Sequence, residues 1–322
     1  MPTITIIKKA FREFVELSHK VSRNNDLRLG GVRLSMLWCL LRYGARPADY
    51  DYFDFWSKSG VERKRYLTFY KYIRLVKKLN CKEFAEGGKF VEYNVYSSFI
   101  KRSWMLADKN TTEASIKEFI SRHHVIIAKP IDGEQGHGIV KIDDGNEKDV
   151  QDLLINKESS PYILEEVLYN CPELNEIVSS SLNTIRCYTL IDKYGNPHIM
   201  EIMLRVGKVG SVVDNWGAGG VGYVFDLETG ICDQRGIDKL GRRYIYHPGT
   251  QFKMVGFKLP YFEELKRFVI NLCKVRPDVR YAGWDIAITP NGLELVEMNC
   301  PGGRRLLQVY GRPWGDFIKH NW

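Results

Sequence analysis

Paired cysteines and long apolar runs are what this sequence lacks. Its seven cysteines, at positions 39, 81, 171, 187, 232, 273 and 300, include no C-x-x-C pair, which argues against a disulfide framework or a structural zinc site. No stretch approaches the ~18 uninterrupted apolar residues of a membrane span, and the apolar run in the N-terminal "MPTITIIKKAFREF" is too short for a signal peptide. We therefore expect a soluble protein of the reducing cytoplasm.

Positive charge is in excess. The 322 residues include 47 Lys and Arg against 39 Asp and Glu, a formal net charge of +8. Such an excess favours anionic partners such as nucleotides, sugar acids, nucleic acids or lipid surfaces, and charge alone does not separate them. With 44% apolar residues, the chain is long enough for two or three domains with cores of their own.

The pattern of the chain changes near residue 100. Before it, "RLSMLWCLLRYG" and "RKRYLTFYKYIRLVKKLN" carry apolar residues at helical spacing, and Gly44 and Asn80 are predicted stops. After it, "TEASIKEFI" behind a Thr112 cap and "YFEELKRFVINLC" predict amphipathic helices. Strands are predicted for "VIIAKPI", "YILEEVL", "TIRCYTLID", "HIMEIMLRVG", "AGWDIAIT" and "LELVEMN". The sequence thus predicts an α+β protein with a mostly helical region over residues 1–100.

A glycine-rich segment, "AKPIDGEQGHGIVKI", lies between two apolar runs at residues 128–142. Its glycines, Gly133, Gly136 and Gly138, fit neither the Walker A nor the Rossmann spacing. Glycines let a backbone approach phosphate oxygens and direct N–H groups at them, and a preceding lysine adds a positive charge. Lys129 stands inside an apolar strand, where a lysine is seldom left unpaired. Phosphate binding is therefore one interpretation, and an ordinary hairpin with a surface lysine is the other.

The hairpin "AGWDIAITPNGLELVEMN" indicates a second site. Residues 290–292 suit a three-residue loop, which places Thr289 opposite Leu293 and, counting outward, Asp285 opposite Glu297. A two-residue Asn-Gly loop would instead put the two acids on opposite faces of the hairpin.

Opposed carboxylates have a direct chemical implication. Asp285 and Glu297 would repel each other unless a cation bridged them. Asn299, two residues after Glu297, would share its face and add an amide oxygen. Because hard oxygen ligands suit Mg²⁺, we predict a magnesium site formed by these three residues.

The order of these motifs resembles the ATP-grasp superfamily. A lysine-bearing strand, a glycine-rich hairpin loop, the acidic strand "YILEEVL", then "NTIRCYTL" and "WDIAIT…LVEMNCPGG" follow one another in its order. More narrowly, "SLNTIRCYTL", "VDNWGAGGVGYVFDLETG" and "GWDIAITPNGLELVEMNCPG" resemble the sugar-transfer-associated ATP-grasp group of bacterial surface-polysaccharide gene sets. The resemblance implies two α+β subdomains that grip ATP, over residues 101–170 and 171–322. A helical region at 1–100 takes the place of the Rossmann-like pre-domain of many members.

The resemblance also implies which residues bind ATP. They are Lys109, Lys129, Gly133, Gln135, Gly136, His137, Gly138, Glu165, Glu166, Val167 and Glu173. Lys129 would hold the α and β phosphates, and without a nucleotide its ammonium would be buried and unpaired, which is unfavourable. Glu165 or Glu166, with the backbone of Val167, would meet the adenine edge.

Catalytic and ribose-binding residues follow from the same resemblance. Glu173, with Glu176 as the alternative, would bind the ribose. Arg186 and Arg205 interrupt the apolar alternation of neighbouring predicted strands, so each is either paired in the core or directed at an anion. Asn215, in the glycine-rich "DNWGAGG", would lie near an acyl phosphate, although an ordinary turn has the same composition.

The implied activity is a carboxylate–amine ligase that uses ATP and Mg²⁺, with Mn²⁺ as an alternative, and releases ADP and phosphate. A carboxylate attacks the γ-phosphate and an amine captures the acyl phosphate, so the site must stabilise a transferring phosphoryl group. The implied substrates are a uronic acid of a bacterial surface glycan or its precursor and an amino acid or small amine, with peripheral association with membrane-bound glycan machinery. A kinase, a peptide ligase and a non-catalytic glycan- or nucleic-acid-binding module are the alternatives, although nucleic acid is not the expected partner.

Overall fold

The computed structural model describes residues 2–79, 88–131, 138–157, 159–211, 219–304, 308 and 313–321. The chain forms two compact units, the first of residues 1–79, 192–196 and 303–322 and the second of residues 80–191 and 197–302. Within the described ranges, no helix is both long enough and apolar enough to cross a membrane.

The first unit is helical, as the sequence predicts. Its helices include α1 (Pro2–Asn24), α2 (Leu29–Tyr43), α3 (Pro47–Tyr52), α4 (Gly60–Lys64), α5 (Phe69–Leu79) and a C-terminal helix (Trp314–Asn321). Gly44 ends α2 with a left-handed φ of +65°, which confirms the predicted stop. One face of α2 packs on a cluster of aromatic rings from Tyr50, Phe53, Phe55 and Tyr66.

The single helix predicted over residues 63–80 is wrong, because the chain breaks between α4 and α5. The N–H of Leu67 donates to the Gln308 side-chain oxygen at 2.7 Å. The N–H of Phe69 donates to the Asp49 carboxylate at 2.8 Å. These side chains from distant parts of the chain replace the hydrogen bonds of a continuous helix.

The first described helix of the second unit is α6 (Gly88–Val95), and the unit also contains a four-stranded sheet. Its strands are β1 (Trp104–Ala107), β2 (Val125–Pro130), β3 (Val140–Asp143) and β4 (Tyr162–Glu166), in the order β1-β4-β2-β3 with antiparallel neighbours. Apolar residues of α7 (Glu113–His123) and α8 (Glu147–Asn156) pack on one face of this sheet. Thr112 caps α7 by accepting the Ser115 N–H at 3.2 Å, as predicted.

A seven-stranded antiparallel sheet completes the second unit. Its strands are β5 (Ile185–Ile191), β6 (Pro197–Val206), β7 (Val221–Phe225), β8 (Gly236–Ile237), β9 (Arg243–Tyr244), β10 (Tyr281–Thr289) and β11 (Gly292–Asn299), in the order β11-β10-β5-β6-β7-β8-β9. The short α9 (Pro172–Asn175) precedes β5, and α10 (Phe262–Val275) precedes β10.

The two faces of the seven-stranded sheet differ in chemistry. Trp284, Ile286 and Ile288 of β10 pack into the core with the apolar side of α10. The residues that alternate with them, among them Asp285, point to the other face. The α+β class and the predicted strands are confirmed, and the division into subdomains at residues 100 and 170 stays a prediction.

Candidate active site

Asp285 is the meeting point of two arginines from neighbouring strands. It lies directly opposite Arg186 of β5, whose guanidinium donates from Nε to Oδ1 and from Nη2 to Oδ2, the latter at 2.8 Å. Arg205 of β6 brings its Nη2 within 3.1 Å of Oδ2 and also donates to the Thr184 hydroxyl at 2.7 Å. Burial alone would raise the pKa of Asp285, but the two arginines lower it below its ordinary value. The site therefore holds a buried, ionised carboxylate between two cations.

Glycines make room for this arrangement. A Cβ added to Gly283 would lie 3.4 Å from Cδ of Arg186 and 3.3 Å from Cα of Gly302. A Cβ added to Gly302 would lie only 2.8 Å from the Gly283 nitrogen, closer than real Cβ contacts allow. The segment after β11 therefore crosses β10 at backbone contact, beside the Arg186 side chain.

The pairing of Asp285 with Glu297 is confirmed, but the route to it differs from the prediction. The loop contains two residues, so that Thr289 pairs with Gly292 and not with Leu293. A two-residue loop alone would turn the acids to opposite faces. Instead, β11 has one extra residue, Val296, at a bulge next to Asp285, and this bulge restores the predicted register.

The bulge has a second effect on β11. Glu294 and Glu297 are three residues apart, an odd number that would put them on opposite faces of a regular strand. Glu294 pairs with Ala287, and Glu297 pairs with Asp285. Since Ala287 and Asp285 share a face of β10, both glutamates lie on that face.

These side chains fit Mg²⁺ in kind. Asp285 and Glu297 offer carboxylate oxygens, and the Asn299 amide lies within 3.4 Å of Asp285 on the same face. In the described part of the chain, no three His, Cys, Asp or Glu side chains form a group that could hold a metal. A magnesium site of the nucleotide type needs only one or two protein carboxylates, because phosphate oxygens and water complete it. The metal-binding role of these residues stays a prediction.

Lys129 is paired in the free protein. Its ammonium forms an ion pair with Glu165 of β4, and the Lys129 side chain is only 12% exposed. The expectation of an unpaired ammonium is therefore wrong, although the expectation that this lysine needs an anion is right. Burial would raise the pKa of Glu165, but Lys129 and Arg102 lower it to about 2.

Arg102 joins the two sheets. Its guanidinium donates to Glu165 of the four-stranded sheet at 2.7 Å and to Glu294 of the seven-stranded sheet at 2.7 Å. It also donates to the backbone oxygen of Leu295 at 2.7 Å, next to the bulge at Val296. The Arg102 side chain has no exposed surface. Arg102 therefore fixes both the partner of Lys129 and the strand that carries Glu297.

Glu92 of α6 lies between Lys129 of the four-stranded sheet and Glu297 of the seven-stranded sheet. Its buried carboxylate accepts the Met298 N–H, and it lies close enough to Glu297 and Lys129 to interact with both charges. Burial and the neighbouring Glu297 raise the pKa of Glu92 well above its ordinary value. Glu92, Arg102 and Glu294 were not predicted from the sequence. A charged residue inside the apolar "FVEYNVY" was the available signal for Glu92.

A comparison with protein-family models identifies the family of the chain. The model of the sugar-transfer associated ATP-grasp family matches residues 68–312, more than half of the chain. The chain belongs to this family. The suspected family and the ATP-grasp fold class are thus confirmed, and the site lies in an ATP-grasp protein.

Matched solved structures include the ATP-grasp ligase PsnB with a minimal precursor, at 13% identity and a TM-score of 0.45, covering 75% of this chain and 63% of that chain. The D-alanine-D-alanine ligases from Coxiella burnetii (8% identity, TM-score 0.44, 72% of this chain and 55% of that chain) and Bacillus anthracis (13%, 0.42, 73% and 66%) also match. The ATP-grasp chain spans less than two thirds of the length of the first structures it matches. A comparison with curated protein sequences gives no match.

The glycine-rich loop of the ATP-grasp protein connects β2 to β3, so it lies at the end of the four-stranded sheet where β2 ends and β3 begins. Strands β1 and β2 both end opposite Tyr162, so Lys109, exposed in the turn after β1, lies at the edge where the loop begins. Gly138 closes the loop with φ +77°, and a Cβ there would meet the Pro130 ring at 2.9 Å. Glycine is therefore required at this position.

The predicted adenine and ribose residues lie at the end of β4 and in the segment that follows it. Glu165 is occupied by Lys129, whereas Glu166 accepts the Ser103 N–H at 3.2 Å and Val167 is half-buried. Glu173 is exposed on α9. The remaining predicted residues, Gly133, Gln135, Gly136, His137 and Asn215, and the predicted helix stop Asn80, lie outside the described residues. Their roles stay predictions.

Glu165 makes the stability of the ATP-grasp protein depend on pH. Its carboxyl pKa is lowered from 4.5 to about 2, so its contribution is complete above pH 4.5 and is lost as the pH falls towards 2. We expect the free energy of unfolding to decrease by on the order of 3 kcal/mol over this window because of Glu165. Urea unfolding at constant ionic strength measures this decrease. It should shrink in Glu165→Gln and persist in Glu264→Gln, an exposed acid on α10; an unchanged decrease in Glu165→Gln would contradict the prediction.

Proposed function

We propose that this protein is an ATP-dependent ligase that joins a carboxylate to an amine through an acyl phosphate. The observation that carries this function is the convergence of Arg186 and Arg205 on Asp285, directly opposite Glu297, on one face of the seven-stranded sheet. A transferring phosphoryl group needs positive charge and oriented donors around it, and it needs no protein nucleophile.

ATP is the proposed phosphoryl donor and Mg²⁺ the proposed metal, with Mn²⁺ as an alternative. Lys129 and the glycine-rich loop would bind the phosphates, and the backbone of Val167 would meet the adenine. Asp285, Glu297 and Asn299 would hold Mg²⁺, which neutralises charge on the phosphate oxygens.

The proposed reaction has two steps. A carboxylate oxygen of the first substrate forms a bond to the γ-phosphorus while the bond from that phosphorus to the bridging oxygen of ADP breaks. The amine nitrogen then bonds to the acyl carbon, phosphate leaves with the electron pair of the broken C–O bond, and the amine gives up a proton. Arg186 and Arg205 stabilise the charge of the transferring group, and their fixed positions avoid a reorganisation cost during the reaction.

Buried thiols do not compete as nucleophiles. Burial raises the pKa of Cys171 and Cys273 to about 11 and the pKa of Cys232 to about 12. Burial also raises the pKa of Cys187 well above its ordinary value. Because the thiolate is the reactive form, these four cysteines are poor nucleophiles at neutral pH.

The proposed carboxylate is a uronic acid of a bacterial surface glycan or its precursor, and the proposed amine is an amino acid or a small amine. The family description, which links these proteins to sugar transfer, supports the sugar, and the net charge of +8 favours an acidic ligand. The reaction would take place in the cytoplasm, where ATP is supplied, in peripheral association with membrane-bound glycan machinery.

ADP release tests this proposal. Purified full-length protein is incubated with ATP, Mg²⁺ and pools of uronic acids and amines, ADP is measured, and mass spectrometry identifies the product. We expect multiple turnovers only when an acid and an amine are both present. A stable phosphorylated product without an amine would indicate a kinase, and amino-acid or peptide products a peptide ligase. No ADP with any pair, together with salt-sensitive DNA binding and no ATP affinity, would indicate a binding module.

Lys129→Met is expected to weaken the binding of MgATP by about tenfold to a hundredfold, the effect of losing a charge-assisted hydrogen bond. The fold should persist, since Glu165 keeps Arg102 as an ionic partner. Isothermal titration calorimetry with a non-hydrolysable ATP analogue measures the affinity. Lys141→Met, an exposed lysine on β3, is the matched control. Normal nucleotide affinity in Lys129→Met would mean that the glycine-rich segment is an ordinary hairpin.

A further inference from the structure

The first unit carries an apolar stripe on its surface. On α2, Leu34, Leu37, Trp38 and Leu41 follow the i, i+3, i+4, i+7 spacing of one helix face. Their exposed fractions are 72%, 46%, 56% and 82%. Single exposed apolar residues are ordinary, but a continuous stripe with a tryptophan at its centre marks an interaction site.

The stripe is not a misplaced core face. The opposite side of α2, which consists of Val32, Met36, Cys39 and Tyr43, is buried in the core of the unit. Both faces of the helix are therefore apolar, and one already has its partner within the fold. The outer face of a surface helix normally carries polar and charged residues, so the apolar outer face of α2 indicates an interaction site.

Positive charge surrounds the stripe. Residues 27–48 contain four arginines and no acid, and Arg28 and Arg42, near the two ends of α2, are exposed. Residues 1–79 contain 17 Lys and Arg against 7 Asp and Glu, a net charge of +10, whereas the whole chain has +8. The excess positive charge of the protein is thus concentrated in its helical region.

We propose that α2 docks this region on a membrane surface rich in anionic lipids. The leucines and Trp38 enter the boundary between headgroups and acyl chains, while Arg28 and Arg42 contact lipid phosphates. Apolar insertion combined with flanking basic residues is the usual composition of a helix that lies in the plane of a membrane interface, and tryptophan favours that interface.

Charge decides between a membrane and a second copy of the chain. A symmetric dimer through α2 would bring the same arginines of two copies together, and residues 26–48 offer one acid, the exposed Asp26, against four arginines, so positive charge would stay in excess. An anionic bilayer offers negative charge at the depth of these arginines and a hydrocarbon layer below it. The occupant that complements both properties is the lipid surface.

Vesicle co-sedimentation of the full-length protein tests the proposal. Vesicles of phosphatidylcholine alone are compared with vesicles that contain about 30% phosphatidylglycerol, at ~0.1 M and ~0.5 M salt. We expect binding at least about tenfold tighter to the anionic vesicles, and a decrease at the higher salt concentration. The double variant Trp38→Gln/Leu41→Gln should lower the partition coefficient at least about tenfold. Arg28→Gln/Arg42→Gln should lower it roughly fivefold per arginine and weaken the salt dependence.

Matched controls separate docking from general stickiness. Ile155→Gln, an apolar residue on α8 that is 67% exposed, and Arg267→Gln, an exposed arginine on α10, should bind vesicles like the unchanged protein. Circular dichroism and thermal unfolding should be the same for all variants, because every changed side chain is exposed. Absence of binding to anionic vesicles, or equal binding by Trp38→Gln/Leu41→Gln, would overturn the proposal. A dimer that this double variant dissociates, without vesicle binding, would assign the stripe to self-association and also overturn it.

Discussion

Arg102→Met is expected to lower the free energy of unfolding by about 3 to 5 kcal/mol, the usual cost of breaking a buried ion pair by removing one partner. Arg102 lies between Glu165 and Glu294 with contacts of 2.7 Å to each, and none of these three side chains is more than 6% exposed. Glu165 keeps Lys129, but the methionine cannot replace the ionic partner of Glu294. Urea unfolding at pH 7 measures the change.

Two variants make the Arg102 prediction specific. Lys101→Met removes the neighbouring cation, which is exposed, and should change stability by less than about 0.5 kcal/mol. Arg102→Met/Glu294→Met removes the uncompensated acid as well and should recover part of the loss, since an apolar replacement of a whole buried pair is often tolerated. A single variant as stable as the unchanged protein would mean that the contacts between the sheets do not depend on Arg102.

Arg186→Met is expected to lower kcat about a thousandfold while the affinity for MgATP changes less than about tenfold, the pattern of a cation that acts on a transferring phosphoryl group. The Arg186 guanidinium makes two parallel hydrogen bonds to Asp285 and lies 5.6 Å from the centre of the Tyr188 ring, so its position is set before any substrate binds. This prediction rests on the proposed function and is measured as the rate of ADP release with an active pair of substrates.

The conservative change gives the Arg186 prediction a graded outcome. Arg186→Lys keeps the charge but loses the two-pronged geometry, and its kcat should fall between those of the unchanged protein and Arg186→Met. Arg280→Met is the control, since Arg280 donates to the Ile191 backbone oxygen at the far end of the same sheet. A normal kcat in Arg186→Met would remove this residue from catalysis, and equal losses in Arg280→Met would point to a general structural effect.

Local patterns predicted the elements well because local physics determines them. The Thr112 cap, the helix stop at Gly44 and the strand β10 depend on residues within one turn or one strand, and each was predicted. The helix over residues 63–80 failed for the opposite reason. Asp49 and Gln308, which capture the backbone N–H groups of the break, are remote in sequence, and helical spacing carries no information about them.

The candidate site was predictable as a set of residues and not as a network. Arg186 and Arg205 were predicted because they interrupt apolar strands, whereas Asp285 and Glu297 were predicted from the register of the hairpin and from the resemblance. The structure brings Asp285 together with the other three. That Arg186 pairs with Asp285 depends on which strands become neighbours. The role of Arg102 could not be predicted, because its partners Glu165 and Glu294 are 63 and 192 residues away. Nothing in the local sequence "FIKRSW" indicates that this arginine is buried.

Because of the extra residue in β11, the alternation between core-facing and outward-facing side chains changes phase within the strand. From the turn to Leu295, odd-numbered positions face the core, and beyond Val296 the even-numbered Met298 does. A single alternating template laid along residues 292–299 would therefore exchange inside and outside for one half of the strand, whichever half it fitted. The template would separate Glu294 from Glu297, although the fold needs both on one side. Deleting Val296 would remove the bulge and give β11 one regular alternation, in which Glu294 and Glu297 would still lie on the same face. The role of Val296 is therefore to bend the strand locally and to place its backbone oxygen near Arg102.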